Sequence, residues 1–111
     1  MKYNVILSPA AQRHLNEINS YQRGIAKSAI KKQLYFQPLV ETTNRKPLSA
    51  PVDAEPWQYG HWELRDGIIR VFYVVDHVTV YITAVGVKER NKLYVDGKYV
   101  NSFFEWYEDN K

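Results

Sequence analysis

The feature that most constrains the fold is period-two patterning from about residue 58 to 86, broken by two turn signals. Trp62 and Leu64 alternate with His61, Glu63 and Arg65. Arg70 lies on the face opposite Ile69, Val71, Tyr73 and Val75, and Val80, Ile82 and Ala84 alternate with Thr79, Tyr81 and Thr83. Successive side chains on a strand point to opposite faces, so the pattern predicts strands at about 58–65, 68–76 and 78–86. Asp66-Gly67 is a hairpin turn signal, Asp76-His77 a weaker one, and Asp96-Gly97 joins Leu93–Val95 to Lys98–Val100 as a small terminal hairpin.

A sheet apolar on one face needs a second layer, and the N-terminal third supplies it. Residues 3–7 predict a short strand. Ser8-Pro9 then places a capping hydroxyl before a proline at the first helical position. Ala11, Leu15 and Ile18 give that helix an apolar stripe ending near Asn19-Ser20. A second helix is expected over about Tyr21 to Phe36, burying Ile25, Ala26, Ala29, Ile30 and Leu34. The order β-α-α-β-β-β predicts an α+β domain: an N-terminal strand and helical hairpin packed on a small, mostly antiparallel sheet. The other sheet face, carrying the polar and cationic residues, is left open for a partner. We place one domain at 1–100, followed by an aromatic, acidic tail or short helix at 101–111.

Composition narrows the chemistry. The chain has 111 residues, enough for one core but not two. It has no cysteine, which removes disulfides and thiolate chemistry, and its three histidines lack ligand spacing, so neither metal nor cofactor is expected. Residues 1–98 hold 14 Lys/Arg against 9 Asp/Glu, so the body carries +5 and favours an acidic partner. Pro9 interrupts the N-terminus before a signal-peptide apolar region develops, and no apolar run approaches bilayer length; a cytoplasmic protein is expected, with no membrane partner. Arg23, Lys27 and Lys31 recur every four residues on the second helix: a solvated face, or a ridge for nucleic acid or an acidic segment. The connector at 37–60 is long and proline-containing, and its Asn44-Arg45-Lys46 suits a bound backbone.

Leu7-Ser8-Pro9-Ala10-Ala11, Asn44-Arg45-Lys46-Pro47-Leu48, Trp62-Glu63-Leu64-Arg65-x-Gly67 with Ile69-Arg70-Val71-Phe72-Tyr73, and Ala84-Val85-Gly86-Val87-Lys88 follow one another in a characteristic order. Together they resemble a RelE/ParE-type toxin of a bacterial toxin–antitoxin module, over residues 3–95. The resemblance implies a small toxin held silent by a cognate antitoxin protein. Some members enter the ribosome and cut mRNA without metal; others inhibit DNA gyrase. Complexes with antitoxin are expected ahead of a homo-oligomer.

Metal-free RNA cleavage needs removal of the 2′-OH proton, stabilisation of a charged phosphorane and protonation of the leaving 5′ oxygen. Arg70 matches the strand arginine that nuclease members place on the scissile phosphate, a role suited to a planar, permanently charged fork. Lys88, with Arg90 beside it, matches a second catalytic cation, and Tyr94 matches a C-terminal catalytic tyrosine. His61 is a further acid–base candidate near neutral pH. Arg65, Arg45, Lys46, Lys27 and Lys31 are the RNA-binding candidates. Nuclease members often carry lysines where this chain has His61 and Glu63. An endoribonuclease is therefore the first expectation, with a gyrase inhibitor or a non-catalytic antitoxin-binding member as alternatives.

Overall fold

The computed structural model describes residues 1–50 and 60–110, so Pro51, Pro56 and positions 58–59 of the expected first hairpin strand lie outside the described residues. β1 (Asn4–Leu7) leads into α1 (Pro9–Glu17) and α2 (Ser20–Gln33). Then follow β2 (Arg45–Pro47), β3 (Trp62–Asp66), β4 (Ile69–Asp76), β5 (Thr79–Glu89), β6 (Lys92–Val95), β7 (Lys98–Val100) and α3 (Phe103–Asn110). The sheet runs β2-β3-β4-β5-β6-β7 with antiparallel neighbours, and β1 joins β5 in parallel. This is the expected α+β architecture with β2 added, and the C-terminal segment takes the helical of its two expected forms as α3.

Both helices of the hairpin start where the caps place them. The Ser8 hydroxyl accepts the Ala11 N–H at 3.0 Å, with Pro9 beginning the helix, and Asn19 Oδ1 accepts the Gln22 N–H at 2.8 Å. Arg23 is drawn off the cationic ridge. Its guanidinium donates to the carbonyls of Leu15 (2.8 Å), Asn16 (3.0 Å) and Ile18 (3.0 Å), satisfying acceptors that α1 leaves open at its C-terminal end.

The sheet is apolar on both faces. Leu64, Ile69, Val71, Tyr73, Val80, Ile82, Val85 and Val87 pack against Ala11, Leu15, Ala26, Ala29, Ile30 and Leu34 of the hairpin. A β-bulge opposite Phe72 and Tyr73 makes Thr83 the extra residue of β5. The alternation of β5 changes phase there, so Ala84 packs with Phe72 on the face opposite Val80 and Ile82, not on their face as the sequence pattern predicts. Phe72, Ala84, Val95 and Val100 form a second core with Phe103 and Trp106 of α3. The expected open face is therefore partly covered: the residues read as a tail dock on it, because Phe72, Val95 and Val100 need a lid.

β5 exchanges one edge partner for another along its length. Thr79–Ile82 pair with β1 and Gly86–Glu89 pair with β6. Side chains fill the gap between the two. Ser8 Oγ donates to the Thr83 carbonyl (3.2 Å), and the Val85 N–H donates to His14 Nδ1 (3.2 Å). A buried amide at this break needs an acceptor, and His14 provides it.

Candidate functional site

On the face away from the hairpin, cross-strand register brings charged groups into rows. Lys46 sits opposite Glu63 and Glu63 opposite Phe72; in the next row Arg65 faces Arg70, and Arg70 faces Gly86. Lys88 lies one row further, opposite Leu93. Like charges directly across a strand pair repel. The Arg65–Arg70 pair is relieved because Arg65 Nε donates to Glu63 Oε1.

Arg70 is held by backbone. One terminal nitrogen donates to the carbonyls of Gly67 (2.6 Å) and Ile69 (2.9 Å), both at the β3–β4 turn. Its Nε is buried and finds no acceptor among the described residues. Burial pushes the guanidinium pKa down, the Glu63 charge opposes this and Arg65 adds to it. An arginine so shifted still carries its charge at neutral pH.

Lys88 is half-buried within β5, not on a loop after it, and forms no ion pair among the described residues. It borders a pocket of about 300 Å³ together with Ser49, Glu63, Asn91, Asn101 and Phe104. The site thus combines two arginines, two lysines and one carboxylate on a sheet surface, walled on one side by α3.

Several candidates lie elsewhere. His61 is 1% exposed, its ring 4.8 Å from those of Phe103 and Tyr107, so it serves as a platform for α3 and is closed to substrate. Tyr94 pairs with Val87, whose side chain belongs to the hairpin-side core. It lines a cleft there with His14 and Asp96, on the opposite face from Arg70 and Lys88. Arg45 is 4% exposed: Nε donates to the Val40 carbonyl (2.9 Å), and a terminal nitrogen donates to the Gln33 carbonyl (3.1 Å) and side-chain oxygen. Its role is to tie the connector to the end of α2. Arg90 is exposed in the left-handed Arg90-Asn91 turn beyond β5 (φ 52° and 64°). Lys27 and Lys31 are exposed on α2, across the sheet from Lys88, where they border a different groove. Of the candidates, Lys46, Arg65, Arg70 and Lys88 share the uncovered part of the face, while His61 lies on it beneath α3.

Two elements of the site had no adequate sequence signal. Glu63 reads as a misfit, yet it holds Arg65 in place. Phe104 reads as part of a tail, yet it forms a wall. The one available clue to α3 was Ser102-Phe-Phe-Glu105, a capping pattern. The Glu105 N–H does donate to Ser102 Oγ (3.2 Å), while Glu105 Oε2 accepts the Asn101 N–H (2.9 Å).

The helical hairpin on a mostly antiparallel sheet, entered by a parallel first strand, is a RelE-type toxin fold. Among solved structures, a chain of the RelBE2 toxin–antitoxin complex from Mycobacterium tuberculosis is similar, with a TM-score of 0.62 and 25% sequence identity. The match covers 79% of this chain and 100% of that one, and bears out the resemblance read from the sequence motifs. No protein-family model and no curated protein matches the sequence.

Proposed function

We propose that this protein is the toxin of a toxin–antitoxin module, and that it inhibits translation by cutting ribosome-bound mRNA without a metal ion. The observation that carries the reading is Arg70: a charged group held by two carbonyls through one terminal nitrogen, its other terminal nitrogen without an acceptor among the described residues, amid Lys46, Arg65 and Lys88. A phosphate oxygen accepts from that nitrogen and meets the surrounding charge.

Chemically, the 2′-oxygen attacks the adjacent phosphorus and the bond to the 5′ oxygen breaks. Arg70 and Arg65 stabilise the negative charge that builds on the phosphorane oxygens. Glu63, the carboxylate of the face, takes the 2′-OH proton, and Lys88 protonates the departing 5′ oxygen. The Arg65 pairing offsets the repulsion that Glu63 exerts on the substrate. Ribosome binding supplies the alignment that a shallow face lacks.

The silencing partner is an antitoxin with an acidic, partly apolar segment. A groove of about 500 Å³ between β1 and α2 suits it, with Leu7, Ile30 and Phe36 in its lining and Lys2, Lys27 and Lys31 at its rim.

A second reading, a binding protein acting on DNA gyrase or kept for its antitoxin, is favoured by one observation. His61 is sealed and Tyr94 faces away, which leaves one carboxylate, Glu63, and the lysines Lys46 and Lys88 for acid–base work on the face among the described residues. A reconstituted translation reaction separates the two. The nuclease reading expects new mRNA 5′ ends within ribosome-protected sequence, lost in Arg70→Ala. Intact mRNA together with blocked gyrase supercoiling supports the other.

A further inference from the structure

We infer that the pocket between the β5–β6 turn and α3 is a nucleobase site, an inference that rests on the reading of RNA as substrate. At about 300 Å³ it is at the small end of ligand sites, a size for one heterocycle next to a phosphate and not for a longer stretch of chain.

Five segments build it: Ser49 beyond β2, Glu63 in β3, Phe72 in β4, Lys88 and Asn91 around the β5–β6 turn, and the run from Tyr99 of β7 to the start of α3. The α3 wall is fixed. Phe103 stacks on Phe72 at 4.5 Å with an interplanar angle of 15°, and the Ser102–Glu105 capping contacts hold the first turn. Phe104, the next residue, is half-buried and borders the cavity, so an aromatic ring lines it from a fixed support.

The polar groups suit the edge of a base. The Tyr99 hydroxyl donates to Asn101 Oδ1 (3.0 Å), which orients the carboxamide and leaves its N–H₂ as the available donor. The Asn91 side chain makes no hydrogen bond among the described residues, and Ser49 is exposed. Amide donors and acceptors beside an aromatic wall, with Lys88 at the cavity and Arg70 on the same face, match a planar heterocycle bearing hydrogen-bonding edges and an attached phosphate. An aliphatic acid or free phosphate uses the cations alone and leaves the wall and amides idle. The pocket therefore selects which base lies beside the cut, with Phe104 as stacking surface and Asn101 as edge reader.

The test is titration of the full chain with the four nucleoside 3′-monophosphates and with ribose phosphate, followed by amide NMR shifts. At least one nucleotide is expected to bind about five- to 150-fold more tightly than ribose phosphate, the range that base–aromatic stacking spans. Shifts are expected to cluster at Lys88, Asn91 and 101–104. Phe104→Leu, which keeps the apolar packing, is expected to erase that preference, and Asn101→Ser to alter which base is preferred. Lys88→Ala is expected to weaken nucleotide and ribose phosphate alike. Equal affinity for both ligands, or a preference untouched by Phe104→Leu, overturns the inference even if mRNA is cut. A base preference without ribosome-dependent cutting supports the pocket and sinks the nuclease reading instead.

Discussion

Replacing Arg45 with alanine separates two roles for one cation. The connector motif offered Arg45 as an RNA contact, whereas the folded chain buries it with three hydrogen bonds to Val40 and Gln33. Hydrogen bonds from a charged group contribute roughly 1.5–3 kcal/mol each, and the truncated site also strands buried carbonyls. Discounting for relaxation and water entry, we expect a loss of about 3–5 kcal/mol, a large share of the roughly 5–15 kcal/mol typical of a domain. At about 4–8 °C per kcal/mol, the melting temperature falls by at least ~12 °C. Urea denaturation is the assay: the midpoint drops while the slope is unchanged. Lys46→Ala, exposed next door, is the control. It should alter stability by no more than about 0.5 kcal/mol, yet lower the salt dependence of RNA binding by about 0.7 per contact. An Arg45→Ala protein as stable as the parent but weaker for RNA would refute the assignment.

Other predictions follow from the same geometry. A Cβ on Gly86 meets the Tyr94 carbonyl oxygen at 2.9 Å and Leu93 Cδ1 at 3.0 Å, so Gly86→Ala should cost about 1–3 kcal/mol by thermal melting. Burial pushes the His14 imidazole pKa down, against the Asp96 charge and with that of Arg13. Its stabilising contribution is then full above the unfolded value of about 6.5 and is lost as pH falls through the lowered folded value. Denaturation from pH 8 to 5 should show this slope, and His14→Gln should flatten it; an unchanged slope contradicts the role. Tyr94→Phe should leave any cleavage rate within about threefold, because its hydroxyl lies on the far face. A loss near a hundredfold would show that the tyrosine reaches the reaction.

Strand alternation, the Ser8-Pro9 cap and the Asp96-Gly97 turn made the hairpin-on-sheet fold legible, because each is a local rule. Strand ends were less so: β5 runs on to Glu89, since Val87 and Lys88 keep the alternation through a glycine that reads as a stop. Within the site, register was decisive. The motifs singled out Arg70 and Lys88, and register brings the two to one face only because β5 runs on past residue 86. No local signal says whether a residue beyond a turn returns to that face, and Tyr94 does not. The burial of His61 and Arg45 likewise depends on contacts with residues tens of positions away, at α3 and at the end of α2. Sequence shows that a side chain is cationic; it does not show whether its donors are already taken.

The central claim is that the Arg70 face cuts RNA. Mapping RNA 5′ ends after induction, for the parent chain and Arg70→Ala at matched expression, tests it most directly. The account predicts new ends inside translated regions for the parent and their loss by about a hundredfold or more in the variant. Equal cutting by both, or growth arrest by the parent with no new ends, would contradict it.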